Sequence, residues 1–166
     1  MPAIGSLVLY GTHGVCRVCG TKLQKVDRKM VEYYVLTPVE QATACFYVPV
    51  NNQLAVSKMR PLLTQEALKA LLESDEVNAD CWIEEENRRK LTYREWIGSG
   101  DRVALLRIVR TLTRHKEQQL LSGKKFHVSD ENFLKDALRL LSAEICLVLD
   151  IPAEKAIEYL SGNIAE

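Results

Sequence analysis

The chain has 166 residues, 22 basic and 22 acidic side chains, and no formal net charge. That length admits one or two small domains, and no stretch of about 18 apolar residues is present to span a membrane. A neutral chain is not held to nucleic acid by its bulk charge, so any such binding has to be local.

The first half reads as β structure. Residues 7–10 form a short strand, and Gly11 and Gly14 bracket a turn. Residues 15–20 start a second strand that continues towards Gln24, and the polar stretch 25–29 makes a hairpin turn. Residues 31–36, rich in β-branched and aromatic side chains, are the clearest strand. Residues 44–50 form a fourth, with Pro49 marking a strand end or a sheet edge. Residues 54–56 make a short closing strand. Five short strands in so few residues imply a small, bent β-barrel of the SH3 or Tudor kind for residues 1–60.

From residue 61 the apolar period changes. Thr64 caps a helix that runs to residue 73, and residues 74–80 form a polar, acidic connection. A helix over 84–97 places Tyr93, Trp96 and Ile97 on one face. Gly100 follows its end and Asp101 caps the next helix. Over 102–120, Leu105, Val109 and Leu112 face a core, while Arg107, Arg110 and Arg114 lie on another side. Ser129 caps a helix to residue 149, and Pro152 opens a final one. The fold class is therefore β plus α in two domains: a barrel over 1–60, then a compact all-α domain of about five helices over 61–166.

Charge is unevenly distributed. Residues 88–125 hold eleven basic and three acidic side chains, a net of +8. The flanking segments 63–87 and 126–166 carry −7 and −5, and the first 62 residues carry +4. Such a block suits a phosphate-rich partner, or equally a solvated helical face laced with ion pairs.

Catalytic and metal-binding patterns are weak. Cys16 and Cys19 have half of a zinc-site spacing, but no second pair follows, and alternation along a strand sends them to opposite faces. Cys45 and Cys146 read as small core residues, and five cysteines without framework spacing as free thiols. His13, His115 and His127 lie far apart, and there is no phosphate loop or nucleophile elbow. No enzyme, cofactor, metal site or small-molecule substrate is expected. The first six residues lack the pattern of a secretory signal, so a cytoplasmic location is expected. Trp96 belongs with a core. Trp82, among Asp80, Cys81 and Glu84, is either a packing residue or a contact surface.

Several short motifs, in order, resemble the CarD family of bacterial transcription regulators. Gly5-Ser6-Leu7-Val8-Leu9-Tyr10 followed by His13-Gly14-Val15 is similar to that family's opening. Glu32-Tyr33-Tyr34-Val35-Leu36 and Val48-Pro49 match further positions of its first domain. Asn87-Arg88-Arg89 and Ser99-Gly100-Asp101 match its helical domain. The resemblance implies that a Tudor-like domain binds the β subunit of RNA polymerase. It also implies that a helical domain touches promoter DNA at the upstream edge of the bubble, with little sequence readout, and stabilises the open complex at the nucleoid. The expected DNA contacts are Arg88, Arg89, Lys90 and Trp82, which requires Arg88 and Arg89 to lie within reach of a duplex. The expected polymerase contacts are Gln24, Phe46, Tyr47, Val48 and Pro49.

Three positions depart from the family pattern. Glu86 stands where the family often has a wedge tryptophan, and its carboxylate repels DNA; Trp82, four residues earlier, is the available substitute. Tyr47 and Gln24 stand where the family has polymerase-contacting arginines. Tyr47 still offers a flat, amphipathic contact. These departures keep a second reading open, a protein-binding adaptor without DNA contact.

Overall fold

The structure, a computed structural model, describes residues 2–162. The chain divides into two compact units, Met1–Leu62 and Leu63–Glu166. No helix among the described residues is long and apolar enough to cross a membrane.

In the first unit, β1 (Leu7–Tyr10), β2 (Val15–Val26), β3 (Lys29–Pro38) and β4 (Phe46–Pro49) are followed by helix α1 (Gln53–Ser57) and β5 (Met59–Pro61). All pairings are antiparallel, in the order β4-β3-β2-β1-β5. The β2–β3 hairpin closes on a two-residue loop, Asp27 and Arg28, both at positive φ, the geometry that matches strand twist. A bulge between Val18 and Gly20 leaves Cys19 without a cross-strand partner and bends β2. The core beneath the bend holds Val8, Cys16, Val18, Tyr34, Leu36, Val48 and Met59.

The expected closed barrel is not formed: the sheet is open. Closure would need β4 to pair with β5, yet β4 has four residues and β5 three. Each ends in a proline, Pro49 or Pro61, which has no N–H to offer a ladder. A second correction concerns residues 54–56, which are helical. The Asn52 side chain accepts a hydrogen bond from the Ala55 N–H at 3.1 Å, and this cap sets a helical turn that outweighs the β preference of Val56. The fifth strand comes later, where Tyr10 pairs with Met59 and Val8 with Pro61.

The second unit contains six helices among the described residues: α2 (Gln65–Glu73), α3 (Asp75–Asn78), α4 (Glu86–Ser99), α5 (Arg102–Leu121), α6 (Val128–Leu149) and α7 (Ala153–Ser161). The extra one, α3, is a single turn within the acidic connection, capped by Ser74. Thr64 and Asp101 cap α2 and α5 as their side chains suggest, and Gly100 ends α4 at φ 64°. The cap of α6 is His127 rather than Ser129, because the helix begins one residue before Ser129. Leu105, Ile108, Val109 and Leu112 of α5 are buried against Leu134, Ala137, Leu141 and Ile145 of α6. Leu138 and Val148 sit at the margin of that core.

Buried polar groups join the helices. The Tyr93 hydroxyl donates to the Cys81 carbonyl at 2.9 Å, and the Cys81 N–H donates to the Thr111 hydroxyl at 3.0 Å. The buried Glu144 carboxylate accepts from Arg102 Nε and Nη2, each at 2.8 Å, and from the Leu63 N–H at 3.0 Å. The lead into α2 is thereby tied to α5 and α6.

Loss of the α5 cap gives the first test. Asp101→Ala should lower the unfolding free energy by about 1 kcal/mol in urea titration, whereas Asp101→Ser should cost only a few tenths.

Candidate functional site

Two surfaces hold the residues singled out by sequence. The first is the outer face of the sheet. Tyr34, Leu36 and Val48 point into the core, so the residues alternating with them point out. Lys22 pairs with Tyr33, Tyr33 with Pro49, and Val35 with Tyr47, which gathers Lys22, Tyr33, Tyr47 and Pro49 on that face. The Tyr33 and Tyr47 rings meet edge to face at 6.4 Å, and Lys22 Nζ lies 5.7 Å from the Tyr47 ring centroid. Tyr47 remains 44% exposed on β4, an edge strand. Gln24, two residues beyond Lys22, shares the face and is half-buried.

Phe46 and Val48 do not belong to this surface. The Val48 side chain is fully buried, and Phe46 faces inwards, half-buried, with its ring 4.2 Å from that of His13. They sit on the inward-facing phase of β4, so only their backbone lies at the sheet edge. Lys22 and Tyr33, overlooked in the sequence, become visible once the hairpin register is known.

The second surface surrounds the start of α4. Glu85 caps this helix, its two carboxylate oxygens accepting from the Asn87 and Arg88 N–H groups at 2.9 and 2.7 Å. Glu86 and Lys90, one turn apart, form an ion pair at 2.6 Å, and Lys90 holds the Glu86 carboxyl below the usual carboxylate range. Arg88 points to solvent; Arg89 does not.

Arg89 is 2% exposed, and its guanidinium grips Asp130 at the first turn of α6 through two bonds of 3.0 Å each. Its remaining nitrogen, Nη1, donates to the Ile83 carbonyl at 2.7 Å. Arg89 Cζ also lies 4.1 Å from the Trp82 ring centroid, and the His115 ring stacks on Trp82 at 3.4 Å. Two groups that close to one centroid cannot share a face, so Trp82 is clamped between guanidinium and imidazole. Its Nε1 is buried without a hydrogen-bond partner among the described residues.

Two expectations are thereby corrected. Arg89 is a structural ion pair and out of reach of a duplex, because α6 offers a buried carboxylate that a linear charge count cannot reveal. Trp82 is held within the fold and does not project as a wedge.

The basic block is largely engaged inside the helical unit. Arg89, Lys90, Arg102, Arg114 and Lys116 pair with Asp130, Glu86, Glu144, Asp80 and Glu131. Arg107 lies over the Trp96 ring, and Arg110 donates to Asn78. Arg88, Arg94, Lys124 and Lys125 are exposed and form no ion pair among the described residues.

The cysteines offer no metal centre: no group of three potential ligands is present among the described residues. Cys16 is buried, and burial pushes its thiol up to about 11. Cys19 lies on the other face of β2, exposed. Cys45 is exposed rather than part of the core, because it precedes β4 in a loop.

Comparison with known families covers nearly the whole chain. Residues 3–62 match the family described as CarD-like/TRCF RID domain, and residues 66–161 match CarD, C-terminal domain. No curated protein matches the chain in sequence comparison.

The geometry around Trp82 gives two further tests. Asp130→Ala leaves the Arg89 cation buried and unpaired, and should cost about 3–5 kcal/mol of stability in chemical denaturation. For His115, burial holds the imidazole below its ordinary value of 6.5, with the Arg89 charge acting in the same sense. The folded protein therefore binds this proton less tightly than the unfolded chain does. The resulting stability is complete above pH 6.5 and is lost as pH falls through the lower folded value. Unfolding titrations from about pH 7.5 to about pH 5 should show a shallower decline for His115→Gln than for the wild type.

Proposed function

Because the chain belongs to the CarD family, a family of non-enzymatic transcription factors that interact with RNA polymerase, we propose a two-handed role. The outer face of the sheet docks on the polymerase β subunit through Tyr47, with Lys22, Gln24, Tyr33 and Pro49 around it. Arg88, assisted by Lys90, then meets the phosphate backbone of promoter DNA at the upstream edge of the bubble and prolongs the open complex.

The observation that carries this reading is the division of labour within the Arg88-Arg89 pair. Arg89 fixes the first turn of α4 to α6, and Arg88 is left exposed on that anchored turn. With the backbone of this turn anchored, only the side-chain rotamers of Arg88 have to be ordered on meeting a phosphate. Docking elsewhere on the polymerase supplies the local concentration that one or two charges cannot. At the sheet, an exposed tyrosine beside a lysine offers an apolar face, a hydroxyl and a cation on a strand edge.

A second reading, an adaptor bound to polymerase without DNA contact, has its own support. Glu84 and Glu86 are exposed beside Arg88, and Trp82 is clamped by Arg89 and His115. Without a wedge, DNA contact would rest on phosphates alone.

The two readings separate experimentally. Tyr47→Ala should weaken binding to the β subunit by about 1–2 kcal/mol, and open-complex lifetime should fall with it. Arg88→Glu should leave β-subunit binding unchanged and shorten the open-complex lifetime. In that variant the dependence of log affinity for promoter DNA on log salt should be shallower by about one unit. An unaltered lifetime and salt slope in Arg88→Glu would establish the adaptor.

A further inference from the structure

We propose that Cys19 and Cys45 form a dithiol modification site, which a low-molecular-weight disulfide such as oxidised glutathione converts to an intramolecular Cys19–Cys45 bond. Both thiols are exposed, and both lie beside one hydroxyl. The Cys19 thiol donates to Thr37 Oγ1 at 3.3 Å, and Cys45 Sγ lies 3.8 Å from that same oxygen. The two sulfurs are therefore no more than 7.1 Å apart, the sum of those two distances. The other three cysteines are less accessible: Cys16 and Cys81 are buried and Cys146 is half-buried.

Neither thiol belongs to a residue held by a regular ladder. Cys19 is the extra residue of the β2 bulge, and Cys45 lies in the loop just before β4, whose pairing with β3 begins at Phe46 and Leu36. This freedom matters, because β3 runs between the two cysteines. Two strand spacings separate backbones by roughly 9.6 Å, whereas a disulfide needs Cα atoms about 4.4–6.8 Å apart. Bond formation must therefore draw the Cys45 segment about 3 Å or more across Thr37. Phe46, the first residue of β4, is peeled from Leu36, and Tyr47 moves with it.

The chemistry balances with glutathione disulfide as the oxidant. The Cys19 thiolate attacks one glutathione sulfur, forms a mixed disulfide and expels a glutathione thiolate. The Cys45 thiolate then attacks Cys19 Sγ and expels the second. Both protein protons end on glutathione, so two protein thiols are oxidised and one glutathione disulfide is reduced to two thiols. The functional consequence rests on the docking role proposed for Tyr47: oxidation displaces the docking strand and releases the polymerase, and reduction restores it.

The full-length protein incubated with oxidised glutathione should yield a peptide linking Cys19 to Cys45 in non-reducing mass spectrometry. Cys19→Ser and Cys45→Ser should each abolish it. Oxidation should lower affinity for the isolated β subunit by about tenfold or more in the wild type, and not in Cys19→Ser; dithiothreitol should restore it. Glutathione retained on separate thiols, or a crosslink to another cysteine, would overturn the proposal. So would a Cys19–Cys45 bond that leaves β-subunit affinity unchanged. If the reduced protein fails to bind the β subunit, the docking role falls, and peptide mapping alone still decides whether the thiols pair.

Discussion

A buried guanidinium–carboxylate pair organises the helical unit. Arg89 meets Asp130 through two hydrogen bonds, gives its third nitrogen to a backbone carbonyl, and sets its Cζ over the Trp82 ring. Desolvating two charges is costly, and the cost is offset only when nearly every donor and lone pair is satisfied. Here Asp130 also occupies the first turn of α6, where a carboxylate is favoured by the helix dipole. The pair joins α4 and the Trp82 segment just before it to α6, some forty residues on in the sequence. It fixes the face that the start of α4 turns to solvent.

That constraint changes what the basic block means. Eleven cations lie within residues 88–125, and seven of them are engaged by carboxylates, an aromatic ring or an amide of the same unit. Acidic flanks on either side supply several of those partners: Asp80 and Glu86 from one, Asp130, Glu131 and Glu144 from the other. The alternating charge blocks supply, in this chain, both halves of five ion pairs within one unit. What remains outside those pairs and the contacts of Arg107 and Arg110 is Arg88, Arg94, Lys124 and Lys125, all exposed.

Much of the architecture was legible beforehand because its signals are local. Thr64 and Asp101 are cap residues whose side chains reach the N–H three residues on, and Leu105, Val109 and Leu112 obey a helical period. The failures share a different character. The helical turn at Asn52 depends on one side chain overriding a β-branched neighbour, and the open sheet depends on how far two short edges extend. Arg89 and Trp82 depend on Asp130 and His115, which come from other helices. Adjacent arginines look equivalent in sequence, while a helix turns them by about 100° from each other. The resemblance to the CarD family named positions along the chain and could not say which of their side chains faced out.

On the sheet, the alternation of a strand divides outward-facing residues from core residues. Tyr47 and Pro49 share a face with Lys22 and Tyr33, and Val48 belongs to the interior. Under the proposed docking role, Tyr47 and Gln24 would make this surface one of aromatic and hydrogen-bonding contact, with Lys22 as its cation.

The outward placement of residue 88 is the central claim, and photocrosslinking tests it most directly. A photoreactive amino acid incorporated at position 88, in a complete polymerase–promoter complex, should attach covalently to DNA at the upstream edge of the bubble. Crosslinks confined to protein, with the factor bound to polymerase and the promoter open, would contradict it.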